Sequence, residues 1–188
     1  MFNDKNKCAC TFSIFAENSP GVLHRIIVLF TRRKMNIESL TVSHTETEGI
    51  SRFTLVVNDT PRNAEKIAAQ LRRIIEVLKV QVSQNEELIY KEIAFFRIET
   101  PDAHTRQYIA HHVVRLGASI VSIDPEALVI EKTGNEEEIE TLFKSFKNVK
   151  IKEFIRSGRI AIRKHMSELN NTAETFKVME NQTRIDLQ

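Results

Sequence analysis

The segment Asn18-Ser19-Pro20-Gly21-Val22-Leu23 has residue types that can bind a small carboxylate. It falls between a predicted strand and a predicted helix, where glycine lets the backbone approach a ligand and the first helical N–H groups lack partners. The helix dipole also favours an anion there, and Asn18 adds an amide that donates and accepts hydrogen bonds. From the local sequence alone, the commoner interpretation is an ordinary helix start, capped by Ser19 with Pro20 at the first helical position.

Histidines and cysteines occur without the spacing that catalysis or metal binding requires. The chain contains no HExxH motif, no glycine-rich phosphate loop and no GxSxG. His104, His111 and His112 could suggest a transition-metal site, but adjacent helical residues point about 100° apart and make poor co-ligands. Cys8 and Cys10 share one face of a predicted strand without further ligands, so we interpret them as small core residues. We therefore expect no catalytic residue and no metal site.

Composition excludes several classes of protein. The 27 Lys and Arg residues nearly balance the 25 Asp and Glu residues, which argues against a charge-driven nucleic-acid binder. No stretch approaches the roughly 18 apolar residues of a membrane span, and residues 1–7 lack the apolar region of a secretory signal. The two cysteines are too close for an ordinary structural disulfide and suit a reducing compartment. We expect a soluble cytoplasmic protein with no membrane partner.

Hydrophobic periodicity predicts a βαββαβ order for the first half of the chain. The predicted elements are strands 8–17, 36–44 and 50–57, helices from Pro20 and Pro61, and a short strand at Val80 and Val82. The apolar stripes of the two helices comprise Leu23, Ile26, Ile27 and Phe30, and Ile67, Leu71, Ile74 and Leu78. An RNA-recognition domain with this order would need exposed aromatic residues on its central strands. Residues 51–57 contain one aromatic residue, Phe53, and it is in phase with apolar neighbours, so an RNA-recognition domain is disfavoured.

The same order recurs after a polar break at residues 83–88, which we predict to be a linker. The second set comprises strand 89–98, a helix capped by Thr100 with Pro101 first and ending at Gly117, strands 120–123 and 128–131, helix 136–147, and strands 149–155 and 159–162. Ile139, Leu142, Phe143 and Phe146 are expected to face inward. The predicted fold is α+β, with two ferredoxin-like domains in tandem at 8–82 and 89–164. A polar tail at 165–188 is predicted to be disordered or ordered by a partner.

The first half resembles a known family in motif as well as in pattern. The pattern N-x-x-G-x-L from Asn18 to Leu23 resembles the ACT domain, an amino-acid-sensing module. The string N-I-E-S-L-T-V at 36–42, with the residues before it from Leu29, is similar to the small regulatory subunits of acetolactate synthase (acetohydroxyacid synthase). Further matches lie at residues 51–54, 77–80, 91–93 and 154–158. The chain departs from the family at Lys34, where glycine is frequent, at Met35, where an aromatic residue is frequent, and at His44, where proline or glycine is frequent.

The resemblance implies a non-catalytic subunit that binds and activates a large catalytic subunit. That enzyme condenses pyruvate with pyruvate or 2-oxobutyrate, toward valine, leucine and isoleucine, and its thiamine diphosphate, Mg and FAD belong to the catalytic chain. The resemblance further implies a homodimer through the ACT domain and feedback inhibition by a branched-chain amino acid, usually valine. The carried-over effector site comprises Asn18, Gly21, Val22 and Leu23 of one chain with Asn36 and Ile37 of the other. The C-terminal half of the chain is expected to be ACT-like, similar to the ferredoxin-like domain of nickel-sensing regulators.

Two other classes of protein remain as alternatives. An amino-acid-responsive transcription regulator could use the same sensor, but it would need a helix-turn-helix or a dense basic face, and the sequence shows neither. An independent enzyme would need a paired nucleophile and base, and none is apparent. A native partner of roughly three times this mass that makes acetolactate would distinguish the regulatory subunit from both.

Overall fold

A computed structural model describes residues 7–165 of the chain. Within that range, residues up to Ile89 and from Ile162 onward form one compact unit, and residues Tyr90–Ala161 form another. We call them unit 1 and unit 2. Of the predicted tail, only His165 is described, so residues 166–188 lie outside the described part.

Unit 1 is a four-stranded antiparallel sheet with two helices on one face. Its elements are β1 (Cys8–Glu17), α1 (Val22–Arg32), β2 (Ile37–His44), β3 (Ile50–Asp59), α2 (Pro61–Leu71) and β4 (Val77–Gln84). The strand order is β2-β3-β1-β4. Alternate β1 residues such as Phe12 and Ile14 pack against Ile26 and Phe30 of α1, and all four side chains are fully buried. The alternation that predicted β1 therefore corresponds to its core face.

Unit 2 repeats the arrangement. Its elements are β5 (Leu88–Glu99), α3 (Ala103–Arg115), β6 (Ser119–Ile123), β7 (Ala127–Gly134), α4 (Glu136–Ser145), β8 (Ile151–Arg156) and β9 (Ile160–Arg163). The first two residues of β5 and the last two of β9 belong to unit 1. The strand order is β6-β7-β5-β8, and β9 also pairs with β5. Phe96, Ile98, Ile109, Ile130 and Leu142 form the centre of its core. The predicted α+β class with two βαββαβ repeats is confirmed.

Two helix starts differ from the prediction. Helix α1 begins at Val22, so Ser19 does not cap it and Pro20 is not its first residue. Helix α3 is capped by Asp102, whose side chain accepts a hydrogen bond of 2.7 Å from the Thr105 N–H. Thr100 is buried before the helix, and its N–H donates to the Glu126 carbonyl at 2.8 Å. The contact with Glu126 keeps the chain non-helical for two residues longer than the Thr-Pro pair suggests.

Two helices are also shorter than predicted. Helix α2 ends at Leu71, because β4 begins at Val77 and pairs there with β1. Ile74 therefore lies beyond the helix, and Leu78 lies in β4. Helix α4 ends at Ser145, and Phe143 is 37% exposed rather than inward-facing. Shortly after the end of α1, Lys34 replaces the glycine that is frequent in the resembling family. Lys34 has a left-handed φ of 54°, a conformation in which glycine would be unstrained.

The segment 83–88 contains regular structure. It comprises the end of β4, a one-turn 3-10 helix (Asn85–Glu87) and the first residue of β5. The Gln84 N–H donates to the Glu87 carboxylate at 2.9 Å, and Ser83 and Leu88 are buried. The predicted domains 8–82 and 89–164 stay a prediction. The connection between β4 and β5 is the three residues of the 3-10 helix, shorter than the predicted six-residue linker. Among residues 7–165, no helix is both long and apolar enough to cross a membrane.

Candidate functional site

The start of α1 leaves its first-turn N–H groups without a capping side chain. Gly21 occupies the N-cap position with φ 87° and ψ −10°, and no side chain accepts a hydrogen bond from the helix start. The first turn contains no acidic residue. By contrast, Thr60, Asp102 and Asn135 cap the other three α-helices. An uncapped N-terminus with no acidic neighbour in its first turn favours an external anion.

Backbone contacts fix the loop before α1. The Asn18 N–H donates to the Gly49 carbonyl at 2.7 Å, and the Ser19 N–H donates to the Glu17 carbonyl at 2.9 Å. On the other side, the Glu17 N–H donates to the Glu76 carbonyl at 2.9 Å. The turn between β2 and β3 and the loop before β4 therefore flank the Asn18–Gly21 segment. Asn18 itself is exposed, which leaves its amide accessible to a ligand.

The guanidinium group of Arg25, which the sequence analysis did not identify, lies beside Gly21. A Cβ atom built on Gly21 would lie 3.6 Å from Nη1 of Arg25, and Nη2 of Arg25 contacts the Glu76 carboxylate at 2.5 Å. The Arg25 side chain is 46% exposed. Its position four residues after Gly21, one helical turn away, is the signal that could have identified it. Because Glu76 pairs with it, Arg25 adds a hydrogen-bond donor to the helix start rather than net positive charge.

Val22 and Leu23 play different structural roles. Val22 is 1% exposed, belongs to the core of unit 1 and donates its N–H to the Ser19 carbonyl at 3.4 Å, so it supports the helix start from below and does not contact a ligand. Leu23 is 37% exposed and can present its side chain. Of these two predicted site residues, only Leu23 is therefore accessible to a ligand.

Asn36 and Ile37 lie at the opposite end of α1. The helix has 11 residues, which corresponds to about 16 Å between its ends. Asn36 is exposed and donates to the Glu38 carboxylate at 3.1 Å, while Ile37 is half-buried against the core. A single chain therefore does not bring them to Asn18 and Gly21. The predicted six-residue site requires two chains, as the sequence interpretation assumed.

The two cysteines form a close pair on β1. Their Sγ atoms are 3.8 Å apart, with Cys10 buried and Cys8 half-buried. Burial, reinforced by the adjacent Cys8 thiol, raises the pKa of Cys10 to about 12. Within the described residues, His, Cys, Asp and Glu side chains nowhere form a group of three or more that could hold a metal ion.

The burial of Cys10 leads to a thiol-labelling prediction. At pH 8, a thiol reagent should modify about one cysteine per native chain, because Cys10 is a neutral, inaccessible thiol there. Denaturant should expose both. Labelling of Cys8→Ser and Cys10→Ser variants assigns the site, and rapid modification of native Cys8→Ser would contradict the prediction.

The histidines of α3 have ordinary structural surroundings. The His112 ring contacts the Tyr108 ring at 4.5 Å between centroids and the His111 ring at 6.0 Å. Burial lowers the pKa of His112 below its usual value, and the charges of Arg115 and His111 lower it further. These contacts account for His112 as a neutral packing residue.

The two ferredoxin-like repeats give the fold, and family models give the class, which is that of an ACT-domain protein. The family model for the AHAS small subunit-like ACT domain matches residues 12–79, and that for the small subunit of acetolactate synthase matches residues 91–165. The chain belongs to the acetolactate synthase small subunits, which are non-catalytic regulatory subunits with an N-terminal ACT domain.

Individual relatives agree over most of the chain. The chain is 36% identical over 163 residues to the acetolactate synthase small subunit of Bacillus subtilis, covering 86% of this chain and 94% of the relative. It is 35% identical over 152 residues to that of Mycobacterium bovis, covering 81% and 90%. The crystal structure of the small subunit from Thermotoga maritima superposes with a TM-score of 0.77 at 28% identity, covering 84% of this chain and 98% of that one.

Proposed function

We propose that this chain binds and activates the catalytic large subunit of acetolactate synthase and confers feedback inhibition by a branched-chain amino acid, valine. The observation that carries the proposal is the uncapped start of α1 at Gly21, with Arg25 beside it, in a member of the small-subunit family. This arrangement supplies hydrogen-bond donors for a carboxylate.

The chemistry of valine fits the predicted residues. The N–H group of Leu23 receives the carboxylate, and Arg25 lies close enough to strengthen its binding. The amide oxygens of Asn18 and of Asn36 from a second copy accept from the ammonium group. The isopropyl group packs on exposed Leu23 and on Ile37 of the second copy. One methylene is worth only about 1–3 kcal/mol, so leucine and isoleucine should also inhibit at higher concentrations.

A homodimer through unit 1 is part of this proposal. Strand β2 ends the sheet of unit 1, and its Val42 is 49% exposed. An edge strand presents unpaired backbone groups that a second sheet can extend. Asn36 directly precedes this strand and Ile37 begins it. Pairing of two β2 strands would therefore supply the second copy on which a shared site depends.

The proposal assigns all cofactors to the catalytic subunit. Thiamine diphosphate, Mg and FAD would bind that partner, and this chain would bind only the effector and the partner. It would act in the cytoplasm, without nucleic acid or a membrane.

Reconstitution tests the proposed function. Acetolactate formation by the catalytic subunit should rise several-fold when this chain is added, and valine should suppress the increase at lower concentrations than leucine or isoleucine. The catalytic subunit alone, titrated with the same amino acids, is the control. An unchanged rate on addition of the chain would contradict activation, whereas activation without suppression by any of the three would contradict the effector assignment.

A further inference from the structure

A cavity of about 410 Å³ lies in unit 2, between the end of α3 and the start of α4. Ligand pockets in proteins typically have volumes of about 300–1,000 Å³, so this cavity has room for a small molecule. Of the described residues that line it, only Leu116 has an apolar side chain, and the charged ones are Arg115, Lys132, Glu137 and Glu138. Such a lining favours a small charged ligand over an apolar one.

Lys132 is a buried cation in the wall of this cavity. It follows Leu128 and Ile130 on the core face of β7 and is 8% exposed. Its Nζ donates to the Leu116 carbonyl at 2.8 Å and to the Gly117 carbonyl at 3.2 Å, and both acceptors are neutral. Among residues 7–165, no carboxylate forms an ion pair with Lys132. A buried ammonium group without a negative partner is costly, so its place in the wall of a cavity points to an anionic ligand.

The shared fold of the two units does not require this lysine. Lys132 lies three residues before Asn135, which caps α4. In unit 1, Val57 lies three residues before Thr60, which caps α2, and Val57 is fully buried in the core. Valine cannot donate to the carbonyls at the end of the preceding helix, so unit 1 forms the same corner without such a contact. Support for the end of α3 therefore does not by itself account for a buried charge in unit 2.

Hydrogen-bond donors around the cavity remain available to a ligand. An ammonium group has three N–H bonds, and the two carbonyls leave one N–H of Lys132 unused. Gly117 keeps the approach to Nζ open, because a Cβ atom built there would lie 3.7 Å from Nζ. The Asn135 Oδ1 accepts from the Glu138 N–H at 2.8 Å, which leaves the Asn135 Nδ2 group as a donor. Arg115 is exposed and lines the same cavity.

The two carboxylates in the lining limit the charge of the ligand. Glu138 accepts from the Asn135 N–H at 2.7 Å and from Nζ of Lys91 at 3.3 Å, so its carboxylate is already paired. Glu137 is exposed and forms no ion pair within residues 7–165. A phosphate group with two negative charges would be repelled by both carboxylates, whereas a single carboxylate bound at Lys132 meets less repulsion.

We infer that this cavity binds a small molecule with one carboxylate group, of the 2-amino acid or 2-oxo acid class, in addition to the effector proposed for unit 1. The carboxylate accepts hydrogen bonds from Nζ of Lys132 and Nδ2 of Asn135, and Arg115 at the rim strengthens its binding. It also supplies the negative charge that Lys132 lacks. Every lining residue belongs to unit 2, so the inference does not depend on the effector site at α1.

Nuclear magnetic resonance of the nitrogen-15-labelled full chain tests the site. L-alanine and pyruvate are the probes, each titrated at constant ionic strength. At least one of them should shift the backbone amide signals of residues 115–118 and 132–138, whereas propionamide, which carries no charge, should not. If neither alanine nor pyruvate moves these signals, the proposal is overturned. Amide signals of residues 18–25 report on unit 1 in the same spectra, so a failure of the proposed effector site is seen separately.

A substitution at Lys132 tests the role of its charge. Lys132→Met keeps an unbranched side chain and removes the ammonium group, so the affinity for the binding probe should fall about tenfold or more. Lys144→Met is the matched control, because it removes the same charge from an exposed position of α4 outside the cavity lining. The control should keep the affinity of the wild type. Wild-type affinity in Lys132→Met would overturn the proposal.

Two exposed rim residues decide the outcome if Lys132→Met does not fold. Arg115→Gln should weaken binding roughly threefold, as expected for the loss of one exposed charge. Glu137→Gln distinguishes the two ligand classes. It should strengthen binding of a 2-oxo acid by removing a repulsion, and weaken binding of a 2-amino acid by removing a partner of the ammonium group. Wild-type affinities in both rim variants would overturn the proposal.

Discussion

Replacing Gly21 with aspartate is expected to weaken valine inhibition of the reconstituted enzyme at least tenfold while activation persists. The new carboxylate would lie beside the N–H group proposed to bind the carboxylate of valine. Two like charges about 4 Å apart cost about 1 kcal/mol in water and several times that at a partly buried site. A valine titration of acetolactate formation with wild-type and Gly21→Asp subunits measures the effect.

The backbone conformation at Gly21 determines how much the substitution lowers the free energy of unfolding. Its φ of 87° is left-handed, where a side chain typically costs roughly 1–2 kcal/mol, although aspartate and asparagine tolerate the region better than other residues. A Cβ atom would lie at an ordinary contact distance of 3.6 Å from the Arg25 guanidinium, so the site has room for it. Unit 1 should therefore lose a modest part of its stability and remain folded.

Gly21→Asn is the matched control, because it has nearly the same shape and backbone preference without the charge. If electrostatic repulsion dominates, Gly21→Asn should retain most of the valine response that Gly21→Asp loses. Equal loss in both variants would instead assign the effect to bulk or backbone strain. Inhibition curves identical to wild type for both variants would place the effector elsewhere.

Local sequence patterns were sufficient for the fold but not for the start of α1. The alternation in β1 and the helical spacing of Ile26 and Phe30 depend on local periodicity, and both match the core. The Ser-Pro-Gly segment is consistent with either a helix capped at Ser19 or a loop ending at Gly21. The hydrogen bond from the Asn18 N–H to Gly49, 31 positions away, favours the loop. A local pattern contains no information about that contact.

The end of α2 shows the same limitation. Ile74 and Leu78 continue the spacing of Leu71, so periodicity alone extends the helix through them. In the structure, strand pairing between Val77 and Ala16 takes precedence, and Leu78 joins the sheet. Pairing with β1 satisfies a row of backbone hydrogen bonds that one further helical turn could not.

The candidate site was predictable as a segment but not as an arrangement in space. The types of Asn18 and Gly21 indicated a carboxylate site, and the family resemblance implied the second pair, Asn36 and Ile37. The structure adds the length of α1 between the two groups and the position of Arg25. Neither follows from motif matching, because the motif does not include the residue one turn into the helix.

A fragment ending at Ile89 should fold and bind valine but lose most activation of the catalytic subunit. The buried core cluster of unit 1 draws its residues from Cys10 to Val80, so the fragment contains all of it. We place the end after Ile89 rather than at the start of the predicted linker 83–88, because Leu88 is buried and the Glu87 carboxylate accepts a hydrogen bond from the Gln84 N–H. Calorimetric valine titration and reconstitution measure the two activities.

The fragment also loses contacts within unit 1, because residues from Ile162 onward belong to that unit. Arg163 donates to the Ser83 hydroxyl at 3.1 Å and to the Val82 carbonyl at 3.3 Å, and the Lys164 N–H donates to the Glu87 carbonyl at 2.9 Å. Each such bond typically contributes about 0.5–1.5 kcal/mol, against about 5–15 kcal/mol for a whole domain. Urea unfolding should therefore remain cooperative, with a free energy of unfolding lower by about 1.5–4.5 kcal/mol for the three bonds. Full-length Arg163→Ala is the control, since it removes two of these bonds and keeps unit 2. If that variant is stable but the fragment aggregates, unit 1 depends on unit 2 for folding, and the effector site cannot be separated from the C-terminal half.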